Sequence, residues 1–170
     1  MKNKSQIRKW AKELRKQIDI KSVSEVLVEK LKQTIEYKSA ENIILFFPLE
    51  NEIDLRELLK DKTKNFYLPK IDGKNLLCCP YNLDCELEES CYKTQEPTTQ
   101  PCNKNILDLV IIPALACDKN NYRLGYGGGF YDRFLQDLRA KKIVCIPKQF
   151  LIDNVCAESH DIKVDMVITD

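Results

Sequence analysis

"ILDLVIIPALACDKNNYRLGYGGGFYDRFL", residues 106–135, is the stretch on which the fold turns. Its first eleven residues are the most continuous apolar run in the chain and read as the central strand of a buried sheet. A helix is expected from near Phe130. Between strand and helix lie four of the chain's five glycines, Gly125, Gly127, Gly128 and Gly129. In open α/β sheets, ligands bind beyond the carboxyl ends of the strands at crossovers of this kind. Glycine permits positive φ, and its missing side chain lets backbone N–H groups approach a ligand. Those groups, with the positive end of the following helix, make an anion site suited to phosphate.

Neither common phosphate-loop pattern is present. No Lys-Ser or Lys-Thr follows the glycines, and G-x-G-x-x-G fails at Phe130. A sharp turn that only packs a helix on a sheet is the alternative, but four glycines in five positions favour ligand contact. Arg123 precedes the loop, where a guanidinium can pair with phosphate oxygens. Asp132 falls in the first helical turn, where the dipole favours a carboxylate. Beside a triphosphate, that carboxylate is also suited to magnesium.

Working outward, "KSQIRKWAKELRKQI" sets Ile7, Trp10, Ala11, Leu14 and Ile18 at helical spacing. Ser22 and Glu25 have capping-box spacing for a second helix carrying Val26, Leu27, Leu31 and Ile35. "NIILFFP" is a buried strand closed by Pro48, and "DLRELLK" a short helix capped by Asp54. "KNFYLPKI", "NLLCCPY", "KIVCIP" and "VDMVIT" read as further strands. Residues 82–104 turn polar and read as a long surface excursion. Strands alternating with helices predict one domain over residues 1–170, an α/β three-layer fold with a mainly parallel central sheet flanked by helices.

Composition narrows the function. The 27 Lys+Arg nearly balance the 26 Asp+Glu, so no global basic field argues for nucleic acid. The basic start contains no apolar stretch of signal-peptide length, and no window approaches a membrane span, so a cytoplasmic protein is expected. None of the eight cysteines forms a C-x-x-C pair, and His160 is the only histidine, which predicts free thiols and no structural zinc.

"RLGYGGGFYDRFL" resembles the signature of the 5-formyltetrahydrofolate cyclo-ligase family. The likeness extends to "KSQIRK", "FFPLENEID", "YLPKI", "DLVIIPALACD" and "SHDIKVDMVITD", hence to nearly the whole chain. Phe130 stands where tyrosine is usual, and "FLIDNVCAES" matches poorly. The resemblance implies closure of 5-formyltetrahydrofolate to 5,10-methenyltetrahydrofolate, with ATP as co-substrate, Mg2+ required, and ADP and phosphate released.

Carried over by position, the resemblance places Lys4 and Arg8 against ATP phosphates. It assigns Arg123, Leu124, Gly125, Tyr126, Gly127, Gly128, Gly129, Phe130 and Tyr131 to the nucleotide loop. Tyr126 to Phe130 also border the folate, together with Phe47 and Glu52. Asp132 and Asp161 are the implied magnesium ligands. No residue is assigned a catalytic role; His160 is not needed as a base where phosphorylation activates the electrophile. The partners expected are these small molecules, and the chain is expected to be a monomer. A sugar-phosphate isomerase-like or CoA-transferase-like enzyme, or a nucleotide-binding regulatory protein, would use a similar loop.

Overall fold

Alternate residues along the apolar strands face opposite ways, and each face finds its own helices. In the computed structural model, which describes residues 3–170, the chain runs α1 (Lys4–Arg15), α2 (Ile20–Gln33), α3 (Ile35–Ser39), β1 (Asn42–Ile44), β2 (Asn65–Asp72) and β3 (Asn75–Tyr81). It continues through β4 (Leu87–Glu89), β5 (Gln95–Pro97), β6 (Leu109–Ile111), β7 (Ala116–Asp118), β8 (Arg123–Leu124) and α4 (Phe130–Leu135). β9 (Lys141–Ile146), β10 (Leu151–Ile152) and β11 (Met166–Thr169) complete it.

Six strands form the main sheet in the order β11-β9-β6-β1-β2-β3. All neighbours in it are parallel except the β2–β3 hairpin at one edge. Ile44, Val110, Val144 and Ile146 turn to one face, where Ile7 and Ala11 of α1 and Phe134 and Leu135 of α4 cover them. Ile43, Leu109, Ile111, Ile143 and Cys145 turn to the other, under Leu27, Val28 and Leu31 of α2 and Tyr37 of α3. Helices on both faces of a mostly parallel sheet are the α/β architecture expected from the sequence.

Five local expectations need correction. The run 106–116 is not one strand: β6 ends at Ile111, and Ala116 opens β7 in a separate three-stranded sheet ordered β10-β7-β8. Pro113, which has no N–H for a ladder, lies at the break. The second helix starts three residues early, because the Asp19 carboxylate, not Ser22, caps it by accepting from Ser22 N at 3.2 Å. Ile35 is not in that helix but on α3, where it is exposed.

The fourth is the polar segment 82–104, which carries a β4–β5 hairpin docked on β2. Buried Glu96 accepts from Ile71 N at 3.1 Å, and Lys70 pairs with Glu88 at 2.6 Å. That bonding turns an excursion into a wall. The fifth is the 54–60 segment, a 3-10 turn, Arg56–Lys60, whose N-cap is Leu55 without a side-chain cap bond; Asp54 accepts from Arg56 N at 3.0 Å from one residue further out.

Candidate active site

Because β1, β2, β6, β9 and β11 run parallel, their carboxyl ends share one edge of the sheet. A cavity of about 640 Å³ lies there, lined by Phe46 and Phe47 after β1, Pro113 after β6, and the glycine loop. Lys4, Arg8, Glu52, Asp132 and Asp161, and all nine loop residues Arg123–Tyr131, line this same cavity. The structure thus brings every site residue singled out in the sequence into one place.

Two cations brace the loop. Gly127 and Gly129 have φ of 108° and 66°, a region that side-chain-bearing residues rarely adopt. Arg8 Nε donates to Gly125 O at 2.9 Å, and Arg133 Nη2 donates to Gly128 O at 2.9 Å. These bonds tie loop carbonyls to cations, and Arg8 itself lines the cavity beside the loop. Arg123 is buried; its Nη1 donates to Ile162 O at 2.9 Å and its Nη2 to Asp132 Oδ1 at 2.8 Å. Arg123 therefore positions Asp132 and the 158–162 segment rather than presenting a free guanidinium.

A second cluster forms where α1 begins. Lys4 Nζ donates to Asp161 Oδ2 at 2.7 Å and to Glu158 Oε2 at 2.6 Å. Burial works against the Lys4 charge, but the bonds to Asp161 and Glu158 outweigh it and hold the ammonium above its ordinary pKa. Burial likewise pushes the Asp161 carboxyl up, and Lys4 with the Glu158 N–H reverses this and holds it below the ordinary range.

Ligand atoms of Glu158, His160 and Asp161 all lie within 4.8 Å of one another, the compact group of metal-ligating side chains among the described residues. Asp132 lines the cavity separately, on Arg123. The carboxylates of Asp132, Glu158 and Asp161 are hard oxygen donors, and magnesium takes one or two such groups plus phosphate oxygens. The donor set fits. Glu158 was not anticipated; "ESHD" carries no spacing that distinguishes it from an ordinary loop acid.

The other wall centres on Glu52, a buried carboxylate. Its Oε2 accepts from Leu49 N at 2.8 Å, and its Oε1 from the Tyr126 hydroxyl at 2.6 Å. Arg15 Nη1 donates to the Tyr126 hydroxyl at 3.2 Å and stands 3.8 Å from Glu52 Oε1. Phe47 presents one ring face to the Arg56 guanidinium, 4.6 Å from the ring centroid. Tyr92, Thr94, Gln95 and Glu96 of the hairpin close the cavity opposite. These also escaped the sequence reading, since polar composition does not report on which side a hairpin packs.

A doubly covered parallel sheet with an anion-receptive glycine loop and a lined cavity at its carboxyl edge defines an α/β enzyme built to hold a sizeable polar ligand. The chain belongs to the 5-formyltetrahydrofolate cyclo-ligase family, whose pattern it matches over residues 1–170. It is 32% identical over 142 residues to the 5-formyltetrahydrofolate cyclo-ligase of Haemophilus influenzae, covering 76% of each chain. It is 30% identical over 173 residues to that of Mycoplasma pneumoniae, covering 92% of this chain and 96% of the relative. The solved structure of Aquifex aeolicus 5,10-methenyltetrahydrofolate synthetase superposes with a TM-score of 0.85 at 28% identity, covering 98% of this chain and 89% of the other.

Proposed function

We propose that the protein converts 5-formyltetrahydrofolate to 5,10-methenyltetrahydrofolate with consumption of ATP, releasing ADP and phosphate, and that it requires magnesium. The observation that carries this reading is the convergence on one cavity of two unlike recognition surfaces. One is the Arg8-braced glycine loop with Lys4, suited to phosphates; the other is buried Glu52 with Phe47, suited to a flat hydrogen-bond donor.

In this reading the formyl oxygen attacks the γ-phosphorus and the bond to ADP breaks. Folate nitrogen 10 then adds to the activated formyl carbon, the carbon–oxygen bond breaks, phosphate leaves, and nitrogen 10 gives up its proton. An amide oxygen leaves poorly until phosphorylated, so the protein's work is positioning and charge stabilisation. The loop N–H groups and Lys4, turned from its carboxylate partners, hold the phosphates. Glu52 accepts from the pterin's N–H donors and sets the formyl group toward the loop. The Phe47 and Phe130 rings exclude water around it. Asp161, Glu158 and Asp132 would hold magnesium, which when bound supplies divalent charge against the phosphate oxygens.

The test is turnover by the purified protein, followed as the methenyl chromophore alongside released phosphate. Product should form only with ATP and magnesium together. Full-rate turnover without ATP, or none under any condition, contradicts the proposal.

A further inference from the structure

Arg15 is the strongest unexplained feature of the molecule. It occupies the last turn of α1, where a helix C-terminus favours a cation, yet its side chain points inward and is only 5% exposed. Its Nη2 donates to the carbonyl of Ala114, just past β6, and its guanidinium lies over the Phe150 ring. Its Nε is buried without any hydrogen-bond partner. An unsatisfied buried donor on a charged group is costly and calls for a reason. If capping the helix were the whole role, an exposed lysine or arginine would serve.

The reason lies at the other end of the guanidinium. Nη1 reaches the Tyr126 hydroxyl at 3.2 Å, and the hydroxyl in turn reaches Glu52 at 2.6 Å. Among the described residues Arg15 is the one cation within ion-pair distance of Glu52, at 3.8 Å. A carboxylate this buried calls for hydrogen-bonding or oppositely charged partners close by. Glu52 also cannot wander: Leu49 N fixes one oxygen, and the Arg15–Tyr126 pair fixes the other.

We infer that Arg15 is a positioning residue for the folate half of the cavity, holding Glu52 aimed through direct attraction and through the Tyr126 hydroxyl, without itself lining the main cavity. This rests on the reading of Glu52 as the pterin acceptor. It predicts a division of labour within α1: Lys4 and Arg8 at its start serve the nucleotide, and Arg15 at its end serves the folate.

The experiment is steady-state kinetics of Arg15→Met, Arg15→Lys, Glu52→Gln and the double variant Arg15→Met/Glu52→Gln, with melting temperatures alongside. Arg15→Met should raise the KM for 5-formyltetrahydrofolate at least about tenfold while the KM for ATP stays within about twofold. Arg15→Lys keeps the charge but loses the fork, and should fall between wild type and Arg15→Met. The double variant should be no worse for folate than the worse single one, because both substitutions break the same link.

Should Arg15→Met not fold, the Arg15→Lys split between the two KM values decides alone. Equal increases in both KM values, or a double variant whose folate defect equals the product of the single ones, would show a merely structural arginine and overturn the inference. If Glu52→Gln itself leaves folate KM unchanged, the pterin reading falls first and takes this inference with it. If Glu52→Gln acts and neither Arg15 variant does, only this inference falls.

Discussion

Tyr126 donates its hydroxyl hydrogen to Glu52 Oε1 over 2.6 Å, so this buried carboxylate in the cavity wall already has a protein donor. Burial and the neighbouring Glu52 charge hold the phenol well above its ordinary pKa, keeping it a donor throughout the working range. A substrate donor must therefore share or displace this bond. Glu52→Gln keeps the size but removes the charge. Folate affinity should weaken by roughly 1.5–3 kcal/mol, the worth of a charge-assisted hydrogen bond, with ATP binding nearly intact. The same change strands Arg15 without its anion and should lower stability by on the order of 3 kcal/mol. Calorimetry and denaturant unfolding measure the two effects separately; unchanged folate binding would remove Glu52 from the site.

The Lys4–Asp161 pair gives a pH signature. The folded-state pKa of Asp161 is depressed, so its contribution is complete above the ordinary value of 3.8 and fades as pH falls below it. That of Lys4 is raised, so its contribution is complete below 10.5 and fades as pH rises above it. The difference in melting temperature between wild type and Lys4→Met should form a plateau between those values and shrink on both sides. A difference independent of pH down to the acid transition would show that the pair is not what Lys4 contributes.

All eight cysteines are free, and their burial predicts how they react. Burial pushes the Cys117 and Cys145 thiols up to about 12, and Cys91 is exposed. Since the thiolate is the reactive form, a thiol reagent near neutral pH should label Cys91 quickly and Cys117 and Cys145 only after unfolding. Titration in denaturant should find eight thiols, and elemental analysis no zinc. About one zinc per chain, or far fewer than eight thiols, would contradict this.

Much of this was legible because the signals were local and strong. The apolar runs at β1, β2, β6, β9 and β11 announce a sheet covered on both faces, and the helical stripe of Ile7 and Ala11 announces α1. The site residues were legible chiefly through resemblance: Glu52 and Asp161 are indistinguishable by spacing from surface acids, and only the fold buries one and hands the other to Lys4. β7, β8 and β10 are two or three residues long, too short for any period to register. Arg15 reads as one of many charges on α1. Its importance is set by Ala114, Tyr126 and Glu52, roughly 40 to 110 residues away in sequence, contacts that no local pattern encodes.

The central claim is that the glycine loop receives the nucleotide, and Gly125 tests it most directly. A methyl group at Gly128 would meet the Phe130 ring at 2.7 Å, so a substitution there confounds packing with binding. At Gly125 an added methyl meets no protein atom within 4 Å and requires no left-handed backbone, yet the residue lines the cavity. Gly125→Ala should leave the melting temperature unchanged or slightly raised, since a compatible glycine-to-alanine change restricts the unfolded chain. Titration with ATP and magnesium by calorimetry should nevertheless show affinity reduced at least about tenfold, equivalent to about 1.4 kcal/mol, because the methyl occupies the ligand's space. A Gly125→Ala protein of normal stability that binds ATP as tightly as wild type would return the loop to a simple packing turn.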